Sequence, residues 1–240
     1  MDVNGKKAVV FGGTSGIGLA TVKMLVAKGA VVTAAGRDPA KASDLPDGAT
    51  FRACDTTDGA AVEAILADEG PYDILVSAAT GGARAIGPFL EMDLEGYKGS
   101  FAKLWGYANV VRYGAHHLNE GGSITLVSGA PARNVKPGQV ALSCVGGAVE
   151  ALVRAVAREI APANKRINVV SPGQIDTPMV PVQGAEREAL YKKMTAGHLI
   201  PRAGTADECA AGLIFVIEND FVTGTTVDVD GGWLEGNAGW

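Results

Sequence analysis

Seven short apolar runs alternate with segments of helical spacing, and this alternation limits the fold more than any other feature. Lys7–Phe11, Ala30–Ala35, Thr50–Cys54, Ile74–Ser77, Ser123–Val127, Ile167–Val170 and Thr226–Val229 read as strands. Several are nearly unbroken Val, Ile, Leu and Ala, as suits parallel strands covered on both faces; a strand with one wet face alternates instead. Helices are expected near Gly16–Lys28, Gly59–Ala67, Asp93–Leu118, Gln139–Ile160 and Ala206–Ile217. Strand and helix in strict turn imply right-handed crossovers. The expectation is an α/β fold with a doubly wound, seven-stranded, mostly parallel sheet and helices on both faces. At 240 residues and 47% apolar content the chain suits one domain over 1–240. The stretch Asp176–Gly204, with Pro178, Pro181, Pro201 and a short helical patch, breaks the rhythm and reads as an insertion on the ligand side.

Composition removes several classes of function. A net charge of −5 leaves no basic footprint, so nucleic acid is not an expected partner. No run approaches about 18 to 20 consecutive apolar residues, so no membrane span is expected. The start, MDVNGKKAVVFGG, runs straight into a strand without the regions of a signal peptide. Cys54, Cys144 and Cys209 are odd in number and widely spaced, which suits free thiols in a reducing cytoplasm. His116 and His117 fall late in a helix, where a positive charge suits the dipole, and no Cys/His cluster suggests a metal.

The strongest local signal is Val9-Val10-Phe11-Gly12-Gly13-Thr14-Ser15-Gly16-Ile17-Gly18. A strand runs through a glycine turn into a helix, the context in which such a pattern binds a dinucleotide in Rossmann-type sheets. Gly12 would make the turn, Gly16 would let backbone approach a pyrophosphate, and Gly18 would pack helix on strand. The N–H groups around Thr14, Ser15, Gly16 and Ile17 would face the phosphates. After the second strand an NAD site usually has an acidic residue, but here Gly36 is followed by Arg37. A guanidinium suits a 2′-phosphate, so NADP(H) is preferred, with NAD(H) the alternative if Arg37 is solvated and Asp38 serves the ribose.

These residues resemble the short-chain dehydrogenase/reductase family over almost the whole chain. The glycine turn is similar to that family's cofactor loop, with Phe11 where Thr is usual. Cys54-Asp55-Thr56-Thr57-Asp58 resembles the segment whose Asp contacts adenine, giving Asp55 that role with Thr56 beside it. Ala78 and Ala79, in Ser77-Ala78-Ala79-Thr80, replace the family's Asn-Asn-Ala-Gly. Ser171-Pro172-Gly173-Gln174-Ile175-Asp176-Thr177-Pro178 resembles the loop holding the nicotinamide carboxamide, which places Pro172, Gly173, Ile175 and Thr177 at the cofactor. Thr223-Gly224 and Val229-Asp230-Gly231-Gly232 match its closing signature. The resemblance implies an oxidoreductase acting on a small carbonyl or alcohol substrate. It also implies a homodimer or homotetramer through Asp93–Leu118 and Gln139–Ile160, with Trp105, Tyr107 and Tyr113 as interface aromatics or ordinary packing.

The family's Asn, Ser, Tyr and Lys are all absent from their slots. Leu142 stands for the Tyr and Gly146 for the Lys. Gly129 stands for the Ser, beside Ser128, and Lys103 for the Asn. Leu142 carries no titratable proton. Gly146 and Gly147 each cost a helix interior about 1 kcal/mol against Ala. Either the helix packs very closely there or space is left beside the nicotinamide, unless the site has drifted from disuse. Lys103 lies at the edge of the apolar stripe Leu94, Tyr97, Phe101, Leu104, Ala108 and Val111. It either reaches into the vacated space as an acid or base of lowered pKa, or snorkels. Ser128 either orients a substrate oxygen or ends its strand. Arg84 and Arg133 fall in loops that border the family's substrate cleft and would suit an anion, or are simply solvated. Three functions stay open: an oxidoreductase with a relocated proton donor, a silent dinucleotide-binding sensor or partner subunit, and non-redox chemistry on the same fold.

Overall fold

The computed structural model describes residues 1–80, 82 and 84–235. Its strands are β1 (Lys7–Phe11), β2 (Val31–Gly36), β3 (Ala49–Ala53), β4 (Tyr72–Ser77), β5 (Leu118–Val127), β6 (Arg166–Pro172), β7 (Ile175–Asp176), β8 (Gly204–Thr205) and β9 (Thr226–Val229). Its helices are α1 (Gly16–Ala27), α2 (Gly59–Glu69), α3 (Leu94–Ser100), α4 (Ala102–His117), α5 (Val140–Ile160), α6 (Gly184–Met194) and α7 (Ala206–Glu218). Seven strands form one sheet in the order β3-β2-β1-β4-β5-β6-β9, and every neighbouring pair in it is parallel.

The unbroken apolar runs follow from cover on both sides. β1 sends Val9 and Phe11 to one face, where Leu66 of α2, Tyr107 and Val110 of α4, and Val149 and Val153 of α5 pack. Ala8 and Val10 face the other way, against Val22 and Leu25 of α1 and Leu213 and Ile217 of α7. Burying a Val, Leu, Ile or Phe side chain contributes about 1.5–3 kcal/mol, so both layers are held by the same strands. The segment Val140–Ala163 has a mean hydropathy of 1.7 over its most apolar window, enough by length and composition to cross a membrane. Its Val145, Val149, Val153 and Ala157 are nonetheless buried in the fold, which makes α5 a core helix.

The order of strands reverses between β1 and β4. The chain winds outward through β2 and β3, then restarts at β4 and winds the other way. Crossovers diverging from adjacent strands leave a crevice above their C-terminal ends, and this positions the site.

The single helix expected at Asp93–Leu118 is two helices that meet at Phe101. The Ser100 hydroxyl donates to the Gly96 carbonyl and accepts from the Ala85 N–H, while the Phe101 N–H bonds only three residues back, to Lys98. Gly-Ser sequences that divert backbone bonds in this way kink helices. Of the three aromatics, Tyr107 is fully buried and donates to the Val127 carbonyl at 3.1 Å. Tyr113 packs partly buried on the same core, and Trp105 alone is well exposed, at 67%. The segment 176–204 carries α6 and is closed at its base by parallel pairing of β7 with β8.

Candidate active site

The crevice encloses a cavity of about 720 Å³, and every position singled out from the sequence for cofactor binding or catalysis lines it. Gly12, Thr14, Ser15, Gly16, Ile17 and Gly18 come from the turn between β1 and α1. Arg37, Asp55 and Thr56 follow β2 and β3; Ala78 and Ala79 follow β4. Pro172, Gly173, Ile175 and Thr177 come from the end of β6 and beyond. Lys103, Ser128, Gly129, Leu142 and Gly146 come from α4, the end of β5 and α5.

The turn is built for close approach. Gly12 has φ +75°, and a Cβ there would lie 2.6 Å from the Ala79 nitrogen, so β1 and β4 can converge only over a glycine. At Gly18 a Cβ would meet the Gly12 carbonyl oxygen at 2.0 Å, the tight helix-on-strand packing expected of that position. Ser15 precedes α1 in extended backbone and its side chain caps nothing. The first N–H groups of α1 therefore lack a side-chain acceptor where they border the crevice, an arrangement that fits a phosphate.

Beyond β2 the choice of residue is steric as well as electrostatic. A Cβ at Gly36 would stand 2.6 Å from Thr14 Oγ1, so an acidic side chain there would have to displace the buried Thr14 side chain. Arg37, Asp38 and Lys41 line the crevice just after it. The Asp38 carboxylate accepts from the Ala40 N–H at 3.0 Å and starts the short turn Pro39–Asp44. Asp55 accepts from the N–H and hydroxyl of Thr57 at 2.9 and 2.8 Å. These bonds hold its carboxyl below the usual range, and Arg37 adds to the effect. Asn109 on α4 donates to the Thr56 carbonyl at 2.9 Å and fixes this loop.

Lys103 does not snorkel. Its Nζ points inward and donates to the Ser128 carbonyl oxygen at 3.0 Å, with the ring centroid of Tyr107 at 5.4 Å. Burial pulls its pKa down to about 8, and the nearby charge of Arg84 acts in the same direction. The Ser128 hydroxyl turns away, donating at 3.2 Å to Glu150, a carboxylate only 4% exposed. Of the two readings of Ser128, the geometry matches a residue that closes its strand, with its carbonyl rather than its hydroxyl offered to the crevice side. Arg133 does not border the cavity as expected. It is committed to Asp228 and lies 3.4 Å from Glu150. Arg84 does line the cavity.

The two α5 glycines differ. A Cβ at Gly146 would come within 2.9 Å of Ala132 Cβ, so α5 packs closely there against the turn Ala130–Ala132. Gly147 has open space beside it. A Cβ at Gly129 would make only ordinary contact, 3.6 Å from Pro131.

Sequence reasoning missed Lys41 and Trp233, which also line the cavity. Lys41 was legible as a second cation four residues after Arg37. Trp233 was not, because it arrives through two left-handed glycines, Gly231 and Gly232, and a bond from the Ile200 N–H to the Gly231 carbonyl.

Comparison with known proteins agrees with this geometry. Residues 12–234 match the family model described as enoyl-(acyl carrier protein) reductase. The cyclic-di-GMP-binding biofilm dispersal mediator protein of Escherichia coli is 32% identical, over 95% of this chain and 96% of its own length. A solved short-chain dehydrogenase/reductase family protein superposes with a TM-score of 0.86 at 31% identity, over 98% of this chain and 99% of its own. A small-chain dehydrogenase solved in complex with NADPH gives a TM-score of 0.80 at 29% identity, over 96% and 99%. With its parallel sheet, its glycine turn at the switch point and these matches across nearly its full length, the chain belongs to the short-chain dehydrogenase/reductase family of NAD(P)-binding oxidoreductases.

Proposed function

We propose that this protein is an NADP(H)-dependent oxidoreductase that acts on a small carbonyl or alcohol substrate and uses Lys103 as its proton donor and acceptor. The observation that carries this reading is the Lys103 ammonium inside the crevice, lowered to about 8 and held at 3.0 Å by the Ser128 carbonyl. The Leu142 side chain lacks a proton to give, and Gly129 and Gly146 lack side chains, so the family's Ser, Tyr and Lys have no counterpart at their slots. An amine with a pKa near 8 is protonated at neutral pH and can be re-formed at modest cost, which is what a general acid needs.

A bound nicotinamide would supply the hydride chemistry. Gly12 to Gly18 would cradle the pyrophosphate, Asp55 and Thr56 the adenine, and Pro172, Gly173, Ile175 and Thr177 the nicotinamide amide, with Ala78 and Ala79 beside them. Arg37 and Lys41 favour a 2′-phosphate, since the acid an NAD site would use is absent at Gly36, where Thr14 crowds the position, and Asp38 is occupied with the Ala40 N–H. In reduction, Lys103 would give its proton to the carbonyl oxygen of the substrate. In oxidation it would take the alcohol proton back. The Ser128 carbonyl holds the amine in place in both states.

A second reading is a catalytically silent member that binds a dinucleotide as a sensor or partner subunit. It is favoured by the loss of the family's catalytic slots together, and by an Escherichia coli relative whose name describes it as binding a cyclic dinucleotide. The deciding experiment is a titration with NADPH and NADH, followed by NADPH consumption over a broad carbonyl panel, with Lys103→Met alongside. NADPH preferred, with turnover that Lys103→Met cuts to a small residue, supports the oxidoreductase. Tight binding with no turnover supports the silent reading, and no binding of either nucleotide defeats both.

A further inference from the structure

The crevice carries unbalanced charge on its substrate side. Its lining acids, Asp38 and Asp55, follow β2 and β3 and stand with Arg37 and Lys41. Across the switch point, Arg84 and Lys103 line the cavity, and no carboxylate lines it with them. Neither cation has a carboxylate partner among the described residues, whereas Arg133 and Arg187 are committed to Asp228 and Asp176. The loop that carries Arg84 is tied to α3. The adjacent Ala85 N–H donates to the Ser100 hydroxyl at 2.9 Å, and that hydroxyl is itself anchored on α3 at Gly96.

Two cations facing one partly buried space, without an acid, raise each other's free energy until a ligand brings negative charge. A guanidinium pairs best with a flat oxyanion that can take two parallel hydrogen bonds, as a carboxylate does. The rest of that wall is largely apolar, with Ile86, Leu142, Met179, Leu190, Met194 and Trp233 outweighing the uncharged polar side chains of Gln139 and Gln174. Such a surface favours an apolar body over a polyhydroxylated one, since most hydroxyls buried against it would lack partners.

We propose that the substrate is a hydrophobic oxoacid, a carbonyl compound bearing a carboxylate and an apolar body. Its carboxylate pairs with Arg84, its carbonyl oxygen faces Lys103, and its body lies against the apolar wall. The proposal rests on the reading of this crevice as the active site, and its test reads binding so that it does not depend on turnover.

The test is calorimetric titration of the NADP⁺-saturated protein with 2-oxo-4-phenylbutanoate and, separately, with its methyl ester. The acid is expected to bind about tenfold or more tightly than the ester, the scale of one charge-assisted pair. Arg84→Ala should remove the preference by weakening the acid and sparing the ester, and Arg84→Lys should recover part of it. Equal affinities, a tighter ester, no binding of either probe, or a preference that survives Arg84→Ala would each overturn the proposal. Acid binding without NADPH consumption would instead count against the oxidoreductase reading alone. Turnover of the ester with no preference for the acid would keep that reading and remove this one.

Discussion

Gly146 lies so close to Ala132 that a Cβ on it would stand 2.9 Å from the Ala132 methyl carbon. The contact seals the position that, by the resemblance drawn from the sequence, corresponds to the family's lysine. Gly129 is not sealed in this way, and its φ of 166° is extended backbone open to any residue. Restoring the family's groups should therefore fail at one place. Gly146→Lys is expected to lose about 1–3 kcal/mol, the usual cost of overpacking, while Gly129→Ser and Leu142→Tyr fold normally. Thermal melts of the three single variants check this, and an unchanged melting temperature for Gly146→Lys would show that the turn Ala130–Ala132 yields.

The neighbouring glycine gives the opposite expectation. Nothing lies within 4 Å of a Cβ at Gly147, and its backbone is helical. Gly147→Ala should stabilise the protein by about 0.5–1 kcal/mol, because alanine forfeits less chain entropy in a helix. Urea unfolding measures it. A loss of stability would mean that this face of α5 is closely covered in the assembled protein.

Lys103 should impose two pH dependences. Its folded pKa of about 8 lies below the ordinary lysine value. On the proposed mechanism, carbonyl reduction falls about tenfold per pH unit above that pKa as the acid is lost. Stability moves the other way. As pH rises from about 8 to about 10.4, the unfolded chain still binds the proton that the folded chain has released, so this group makes the fold more stable. Lys103→Met should flatten both profiles. A reduction limb that stays near pH 8 in the residual activity of Lys103→Met would assign the titration to another group.

Arg37 and Lys41 predict a selective loss. With both changed to Ala, the NADPH dissociation constant should rise about tenfold or more, from the lost charge-assisted bonds, with NADH little altered. Fluorescence titration of both nucleotides checks it. Equal weakening of the two would place these cations at the pyrophosphate or nowhere on the ligand.

Much of this was readable from residue order, because strand periodicity and the glycine turn are local properties. Strands β1 and β9 fall at the expected residues, and the sheet winds as the alternation implies. What escaped the sequence depended on contacts between distant segments. The break at Phe101 needs the Ala85 N–H to draw Ser100 aside. The engagement of Arg133 needs Asp228, far along the chain. The two glycines of α5 look alike in sequence and differ only because Ala132 packs against one of them. The helical wheel set Lys103 near the apolar face, but whether its amine turned inward was decided by the Ser128 carbonyl.

Arg187 offers a last prediction, since it governs the shape of one wall without lining it. From α6 it reaches back over the segment that leaves β7. Its Nε donates to Asp176 at 2.9 Å, and its Nη atoms donate to the carbonyls of Thr177, Val180 and Val182 at 2.7, 2.5 and 3.0 Å. Those bonds fix Thr177, Met179 and Val180 against the cavity. The fork of donors on one planar group makes this possible, and lysine cannot reproduce it while keeping the charge. Both Arg187→Ala and Arg187→Lys should therefore open the segment to limited proteolysis between 176 and 183. Both should weaken NADPH as the proposed nicotinamide contact at Thr177 loosens. If Arg187→Lys behaved as wild type, charge alone would hold the wall, through the single pairing with Asp176. If both variants bound NADPH normally yet were cleaved faster, the segment would serve the substrate and Thr177 would not contact the nicotinamide.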